Sequence, residues 1–337
     1  MKKERRFLIS ILIVTMVVVT LGAILYTNQI AGKQRLTIST TTSLYDTGVL
    51  EVLKAEYEQT NPEVVLAFIS AGTGIAITHG KNGDADLILV HSPNQERTFM
   101  EEGFGVNRKV FAYNYFTIVG PVTDPVNISS LNPNDALIRI YEYGQSHDTS
   151  IWISRDDDSG TNSKEKSLWT LAGFDYDDLK NSNWLVSSGA GMGNTLRIAD
   201  ELNLYTLSDV GTFLKFQSND LLNLEQHISS SESLMNVYSA IPVNVTKVAT
   251  ARFNLAMDFT EWISGNIAQQ ILGSFGVSEY GQPLFHPAVD IVESQIPIDI
   301  FGWIQSFAFF EFNGTLYECP PIWKLSDNIF YTNRSDE

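Results

Sequence analysis

A single cysteine, Cys319, stands in 337 residues, which excludes an intramolecular disulfide and leaves the fold to rest on burial. It reads as a small buried apolar residue rather than a reactive thiol. Basic residues are also few, 22 against 39 acidic ones. Six of the 22 and one of the 39 fall in the first 35 residues, so the remainder carries 16 against 38. Such a surface excludes nucleic acid and anionic membrane surfaces as partners. It also repels small anions at long range, although salt confines that to ~8–10 Å. An anion site here must therefore rest on local, aimed donors. The five histidines (His79, His91, His147, His227, His286) lack paired metal-site spacing, and Asp156, Asp157 and Asp158 lack the alternation of a calcium loop. No residues are expected as cation ligands. Gly-x-Ser-x-Gly elbows and Gly-Lys-Ser/Thr phosphate loops are missing, and Gly189-x-Gly191-x-Gly193 is not a dinucleotide fingerprint. There is no internal repeat or low-complexity segment. Nothing argues for catalysis or a cofactor, and an enzyme is not expected.

Of long hydrophobic runs there is one at the N-terminus, the uncharged stretch Phe7 to Tyr26, preceded by Lys2, Lys3, Arg5 and Arg6. Twenty residues at ~1.5 Å each span the ~30 Å hydrocarbon core. Basic flanking residues place the N-terminus in the cytoplasm and the rest outside. The run is longer than a secretory signal's apolar core and ends in the poor cleavage sequence Ala23-Ile24-Leu25-Tyr26. An uncleaved membrane anchor is favoured; a removed signal peptide, giving a secreted or periplasmic protein, is the alternative. Sequons at Asn127, Asn244, Asn313 and Asn333 would accept glycans only where the host makes them.

Beyond residue 35 the pattern is α/β. Leu36 to Ser39, Val64 to Ile69 and Ala85 to Val90 read as strands, the last apolar throughout as in a parallel sheet covered on both faces. Helical patterns between them make βαβ units. Two long β-rich segments, Lys109 to Val119 and Met235 to Val245, suggest that the chain crosses twice between two lobes, near Phe116–Pro121 and near Tyr238–Val243. We expect an N-terminal anchor or signal at 1–35, lobe one at 36–120 and 240–295, lobe two at 121–239, and a C-terminal extension of unassigned role at 296–337. A cleft between lobes joined by two crossovers can close on a small ligand by hinge motion.

Four junctions of Ser, Thr and Gly stand at the C-terminal ends of strands, at 40–43, 70–74, 155–161 and 188–193. Ligands of open α/β sheets bind at that edge, and hydroxyls with helix N-terminal amides suit an oxyanion. One such junction is ordinary capping; four together point to anion binding. Arg155 is either a bidentate clamp or a partner for the aspartates beside it.

Thr40-Thr41-Thr42-Ser43 with Asp46-Thr47-Gly48, Ala71-Gly72-Thr73-Gly74, Asn82-Gly83-Asp84-Ala85-Asp86 with Val90-His91, Tyr113-Asn114, Ser154-Arg155 with Asp158-Ser159-Gly160-Thr161, Gly191-Met192-Gly193 before Tyr205-Thr206-Leu207, and Gly281-Gln282-Pro283-Leu284-Phe285 closely resemble the tungstate-binding proteins of ABC importers. The resemblance spans about 36–290 and implies a type II two-lobed periplasmic-binding-protein fold. It further implies a monomer at the extracytoplasmic face that holds a tetrahedral oxyanion, tungstate or its near-twin molybdate, and delivers it to an ABC permease and its ATPase. By that similarity the ligand candidates are Thr41, Thr42, Ser43, Ser70, Gly72, Thr73, Arg155, Ser159, Gly160, Thr161, Gly189 and Gly191. The chain departs from the pattern at Asn162, where the family commonly has His. Sulfate or phosphate binding, an exported hydrolase and a surface sensor module are the rival readings.

Overall fold

The structure, a computed structural model, describes residues 32–229 and 231–325. The expected anchor at 7–26 and the sequon at Asn333 lie outside the described residues, among which no helix is long and apolar enough to cross a membrane.

Strands β1 (Gln34–Thr41), β2 (Val64–Ala71) and β3 (Leu87–Val90) lie parallel in the order β2-β1-β3. Helices α1 (Thr42–Asp46) and α2 (Val49–Thr60) lead from β1 to β2, and α3 (Thr73–Asn82) leads from β2 to β3. Gly83 ends α3 at φ +81°, and a Cβ there would lie 2.8 Å from the Thr250 hydroxyl. Alternation in β3 sends Leu87 and Leu89 to one apolar cluster and Ile88 and Val90 to another, so both sheet faces are covered. Helix α4 (Pro93–Glu101) follows; its signal is short, Pro93 at the first turn and Glu96 accepting the Ser92 N–H at 2.8 Å.

Strand β4 (Lys109–Pro121) is 13 residues long, ~44 Å at strand rise, enough to serve both lobes. Helix α5 (Pro133–His147), β5 (Trp152–Ser154), α6 (Gly160–Leu171), α7 (Tyr176–Leu179), β6 (Leu185–Ser187), α8 (Met192–Leu202), β7 (Thr206–Asp209), α9 (Val210–Ser218) and β8 (Leu224–Ile228) build lobe two. Its core gathers Trp152, Trp169 and Trp184, with ring centroids 5.4 and 5.9 Å apart in sequence. The chain returns in β9 (Met235–Pro242), followed by α10 (Phe253–Ser264), α11 (Asn266–Ser274), α12 (Val277–Tyr280) and the short β10 (His286–Pro287).

The pairing of β4 locates the hinge. Lys109 to Tyr115 pair with β9, whereas Phe116 to Pro121 pair with β7 and β8. β9 also pairs with β3 along Ser239–Pro242, so it belongs wholly to the lobe-one sheet. The change of lobe thus falls at Tyr115/Phe116, inside a strand, and the return falls between Ile228 and Met235. The first stands at the start of the expected crossing near Phe116–Pro121, ahead of the boundary expected at 120/121, and the return precedes both Tyr238–Val243 and 239/240. A buried β-rich run carries no mark of where its hydrogen-bond partners change, and the Pro- and Asn-rich stretch after Thr123 is a lobe-two loop rather than a boundary.

Lobe one closes with α13 (Val289–Ser294), and the C-terminal extension folds onto it as α14 (Ile298–Ala308) and the hairpin of β11 (Phe310–Phe312) and β12 (Thr315–Tyr317). Ile304 and Ala308 join Val110, Met235 and Val237 in one cluster. Buried polar contacts fix it in register: Val110 N–H donates to Glu318 Oε1 at 2.6 Å, and Lys109 Nζ lies 3.5 Å from Oε2. Arg108 donates to the Glu318 carbonyl at 2.8 Å and to Glu96 at 2.8 Å. Breaking a buried pair from one side leaves an uncompensated charge, so Glu318→Ala should cost about 3–5 kcal/mol, read as a lowered midpoint in urea unfolding.

Candidate functional site

Three strand ends of the two lobes present helix N-termini to one another. Thr41 caps α1, its Oγ1 accepting the Leu44 N–H at 3.4 Å. Gly72 precedes α3, and Ser159 caps α6 by accepting the Asn162 N–H at 3.2 Å. First-turn amides lack intrahelical acceptors and carry the positive end of the helix dipole. The lobes meet closely here. A Cβ on Gly72 would lie 4.0 Å from Ser159 Cα, and one on Gly160 would lie 2.7 Å from His91 Cε1. Across the same cleft Lys215 Nζ donates to the Asp46 carbonyl.

Arg155 is buried at the end of β5 and is both clamp-shaped and paired. Its Nε and Nη2 donate to Asp157 Oδ2 at 3.1 and 2.5 Å, and Nη1 donates to Thr161 Oγ1 at 3.3 Å. Asp157 therefore orients the guanidinium, two N–H groups of which remain after these bonds. Asp158 is exposed, while Asp156 accepts the Ser187 hydroxyl at 2.8 Å.

Hydrogen-bond roles sort the hydroxyls. Those of Thr42 and Thr73 are buried without a partner among the described residues. Ser159 and Thr161 accept in the bonds above and keep their O–H free to donate. Ser43 is committed elsewhere. His91 Nδ1 lies 2.8 Å from Asn236 Oδ1, which can only accept, so Nδ1 bears the proton. Burial, together with nearby Arg155 and Lys164 and against the Asn236 bond, lowers His91 to about 4, so the ring is neutral. Its Nε2 then accepts the Ser43 O–H at 3.2 Å. Asn236 is held in turn by Asn114 Oδ1 and the Tyr238 hydroxyl, each at 2.9 Å.

Of the twelve residues expected at the site, Thr41, Thr42, Ser43, Gly72, Thr73, Arg155, Ser159, Gly160 and Thr161 lie at this junction of lobes. Ser70 is exposed near the end of β2. Gly189 and Gly191 are exposed at the rim of lobe two, their loop tied to Arg155 by Ser188 Oγ donating to its carbonyl at 3.3 Å. Residues missing from the expectation are His91, Lys164 and the β7–α9 junction. Asp209 there is fully buried and caps α9 by accepting the Thr212 N–H at 2.8 Å. Burial raises Asp209, while Thr212 and Arg155 oppose. Ser208-Asp209-Val210-Gly211-Thr212 repeats the strand, small polar, helix pattern of the other four junctions and was legible on that ground. Lys164, a second buried cation, is lowered to about 7 by burial.

Beneath Arg155, Glu165 accepts the Trp152 indole N–H and the Ser154 hydroxyl, both at 2.6 Å. Asn162 also reaches Ser154, with Nδ2 donating to its Oγ at 3.4 Å. Among the described residues no three His, Cys, Asp or Glu side chains group as metal ligands. What the arrangement offers is a lining of donors between two closing lobes, the design of a solute-binding protein.

The comparisons agree with that class. The model of the PBP superfamily domain matches residues 27–266. The tungstate-binding protein TupA of Peptoclostridium acidaminophilum is 38% identical over 256 residues, 76% of this chain and 86% of that protein. The solved tungstate-binding protein TupA of Desulfovibrio alaskensis G20 is 34% identical with a TM-score of 0.64, over 75% of this chain and 98% of its own. The tungstate ABC transporter structure from Geobacter sulfurreducens is 37% identical with a TM-score of 0.65, over 72% and 99%. The chain belongs to the PBP superfamily and, within it, to the family these tungstate-binding proteins represent.

Two outcomes test the geometry. Gly160→Ala, harmless to a helix start, should hold the lobes apart at His91 and weaken ligand affinity at least about tenfold without lowering the melting temperature. Burial raises Glu165 from 4.5 to about 7 against the bonds from Ser154 and Trp152. In that window the folded chain keeps a proton that the unfolded chain has lost, so this component of stability is present at acid pH and is lost as pH rises through about 7. Urea unfolding between pH 5 and 8 should therefore show a decline in the native chain that Glu165→Gln removes.

Proposed function

We propose that this chain captures tungstate between its lobes and delivers it to an ABC permease and its ATPase at the extracytoplasmic face of a membrane. The observation that carries the reading is the meeting of the α1, α3 and α6 N-termini with buried Arg155 and the partnerless hydroxyls of Thr42 and Thr73. Tungstate stays a dianion at neutral pH, so preformed donors serve it without proton transfer. Charge-assisted hydrogen bonds contribute ~1.5–3 kcal/mol each, and several together offset the ion's dehydration. The ligand set we assign is Thr42, Thr73, Arg155, Ser159 and Thr161 with the backbone of Gly72 and Gly160. Thr41 and Ser43 shape the first turn; Ser70, Gly189 and Gly191 stand around it. The protein acts as a monomeric carrier, tethered through residues 7–26.

Retention by binding is also what the chemistry supports: the hydroxyls assigned to the ligand, on Thr42, Thr73, Ser159 and Thr161, meet no base among the described residues, and the one that does, on Ser43, meets a His91 whose basicity burial lowers to about 4. Arg155→Ala should weaken tungstate binding by roughly two orders of magnitude in titration calorimetry, because two charged N–H donors are removed. Molybdate, sulfate and phosphate serve as comparison ligands. An affinity for tungstate unchanged by that substitution would contradict the assignment.

A further inference from the structure

The C-terminal extension also touches lobe two. Helix α14 packs on β9 in lobe one through Ile304 and Ala308, and its Phe307 ring lies 3.5 Å, centroid to nitrogen, from Nζ of Lys164 on α6 of lobe two. The same ammonium donates to the Met235 carbonyl at 2.9 Å and lies 5.8 Å from the Phe116 ring. Phe116 is where β4 changes lobes, and Met235 opens β9, the first lobe-one strand after the return. Lys164 is buried, and no carboxylate pairs with it among the salt bridges of the described residues. Its charge is instead held by a hinge carbonyl and two ring faces. Beside it a cavity of about 100 Å³ opens between Gly160, Phe116 and Phe307. Opening of the cleft would carry α6 away from α14 and expose that contact to water.

We propose that Lys164 and Phe307 are positioning residues that latch the closed cleft, so that the extension, rather than the ligand loops alone, sets how long the oxyanion is retained. The proposal rests on the oxyanion-binding reading for its cargo. The latch itself is a contact between lobes and exists without cargo. The solved relatives named above are spanned almost entirely, at 98% and 99% of their length, by about three quarters of this chain. The superfamily match ends at residue 266, before α14 begins. Lys164 therefore works here with a partner supplied from outside the matched region. Cation–π contacts strengthen as they are desolvated, and here the ammonium is buried while the Phe307 ring is half-buried.

The test uses the full chain at pH 6, below the value of about 7 to which burial lowers Lys164. Spin labels at Ala55→Cys on α2 and Gln145→Cys on α5, both exposed, report the distance between lobes without any ligand. Lys164→Met and Phe307→Ala should each lengthen that distance in the ligand-free chain, and Lys164→Arg, which keeps the cation, should restore it. With tungstate as the probe, stopped-flow measurement should show each loss variant releasing the ion on the order of tenfold faster, with association little changed. The double variant should release it no faster than either single one, since both act through one contact. Unaltered lobe distances in both single variants, or additive release rates, would overturn the latch. If tungstate fails to bind even the native chain, the cargo reading falls while the distance measurement still decides the latch.

Discussion

A divalent oxyanion inside a chain of net charge −17 can be held only by donors that touch it. Long-range attraction has the wrong sign, and dehydration of the ion is costly unless each oxygen meets a hydrogen bond. That constraint accounts for the arrangement of the cleft. Helix N-termini supply partial positive charge without a titratable group, hydroxyls supply donors without a counter-ion, and one guanidinium supplies full charge in a fixed plane. Asp157 on the far side of Arg155 spends part of that charge on orientation. Ser43 illustrates the same economy: its proton points at His91, which leaves Thr42 beside it to face the cleft.

Such a site cannot be assembled on one lobe. Donors converging on one small volume would leave amides and hydroxyls crowded, so they are divided between surfaces that meet only on closure. Strand β4 makes the division mechanical. Its two halves hydrogen-bond in different lobes, and the antiparallel return through β9 supplies the second arm of the hinge. With His91, which follows β3, Asn114 on β4 and Asn236 and Tyr238 on β9 form a network. It ties the first turn of α1 to the hinge through bonds of 2.8–3.2 Å. Ser43, next to Thr42, is thus linked through His91 to Asn236 on β9.

The α/β pattern and most of the site were legible before the structure because their signals are local. Apolar strands ending in Ser, Thr and Gly before a helix state their own chemistry, and the family resemblance added order to them. The first crossing was legible only to within Phe116–Pro121, because Lys109 to Pro121 is buried almost throughout and a change of partner strand leaves no trace in composition; the return, expected near Tyr238–Val243, falls before Met235. His91 and Lys164 escaped for a different reason. A lone histidine after an apolar strand and a lysine in a helix are ordinary residues until the fold buries them beside the cleft. The extension was opaque because its polar anchors, Glu318 with Lys109 and Arg108, are separated by about two hundred residues of chain. Gly189 and Gly191 carried the pattern of a donor loop and are exposed at the rim of lobe two, beside the Ser188 hydroxyl that donates to the Arg155 carbonyl.

The account places one oxyanion where α1, α3 and α6 converge, and tungsten makes that position directly observable. Crystals grown with sodium tungstate and measured at the tungsten absorption edge should show one strong anomalous peak per chain within hydrogen-bonding reach of Thr42, Thr73, Thr161 and the Arg155 guanidinium. A peak elsewhere, or none at that junction in a closed chain, would contradict it.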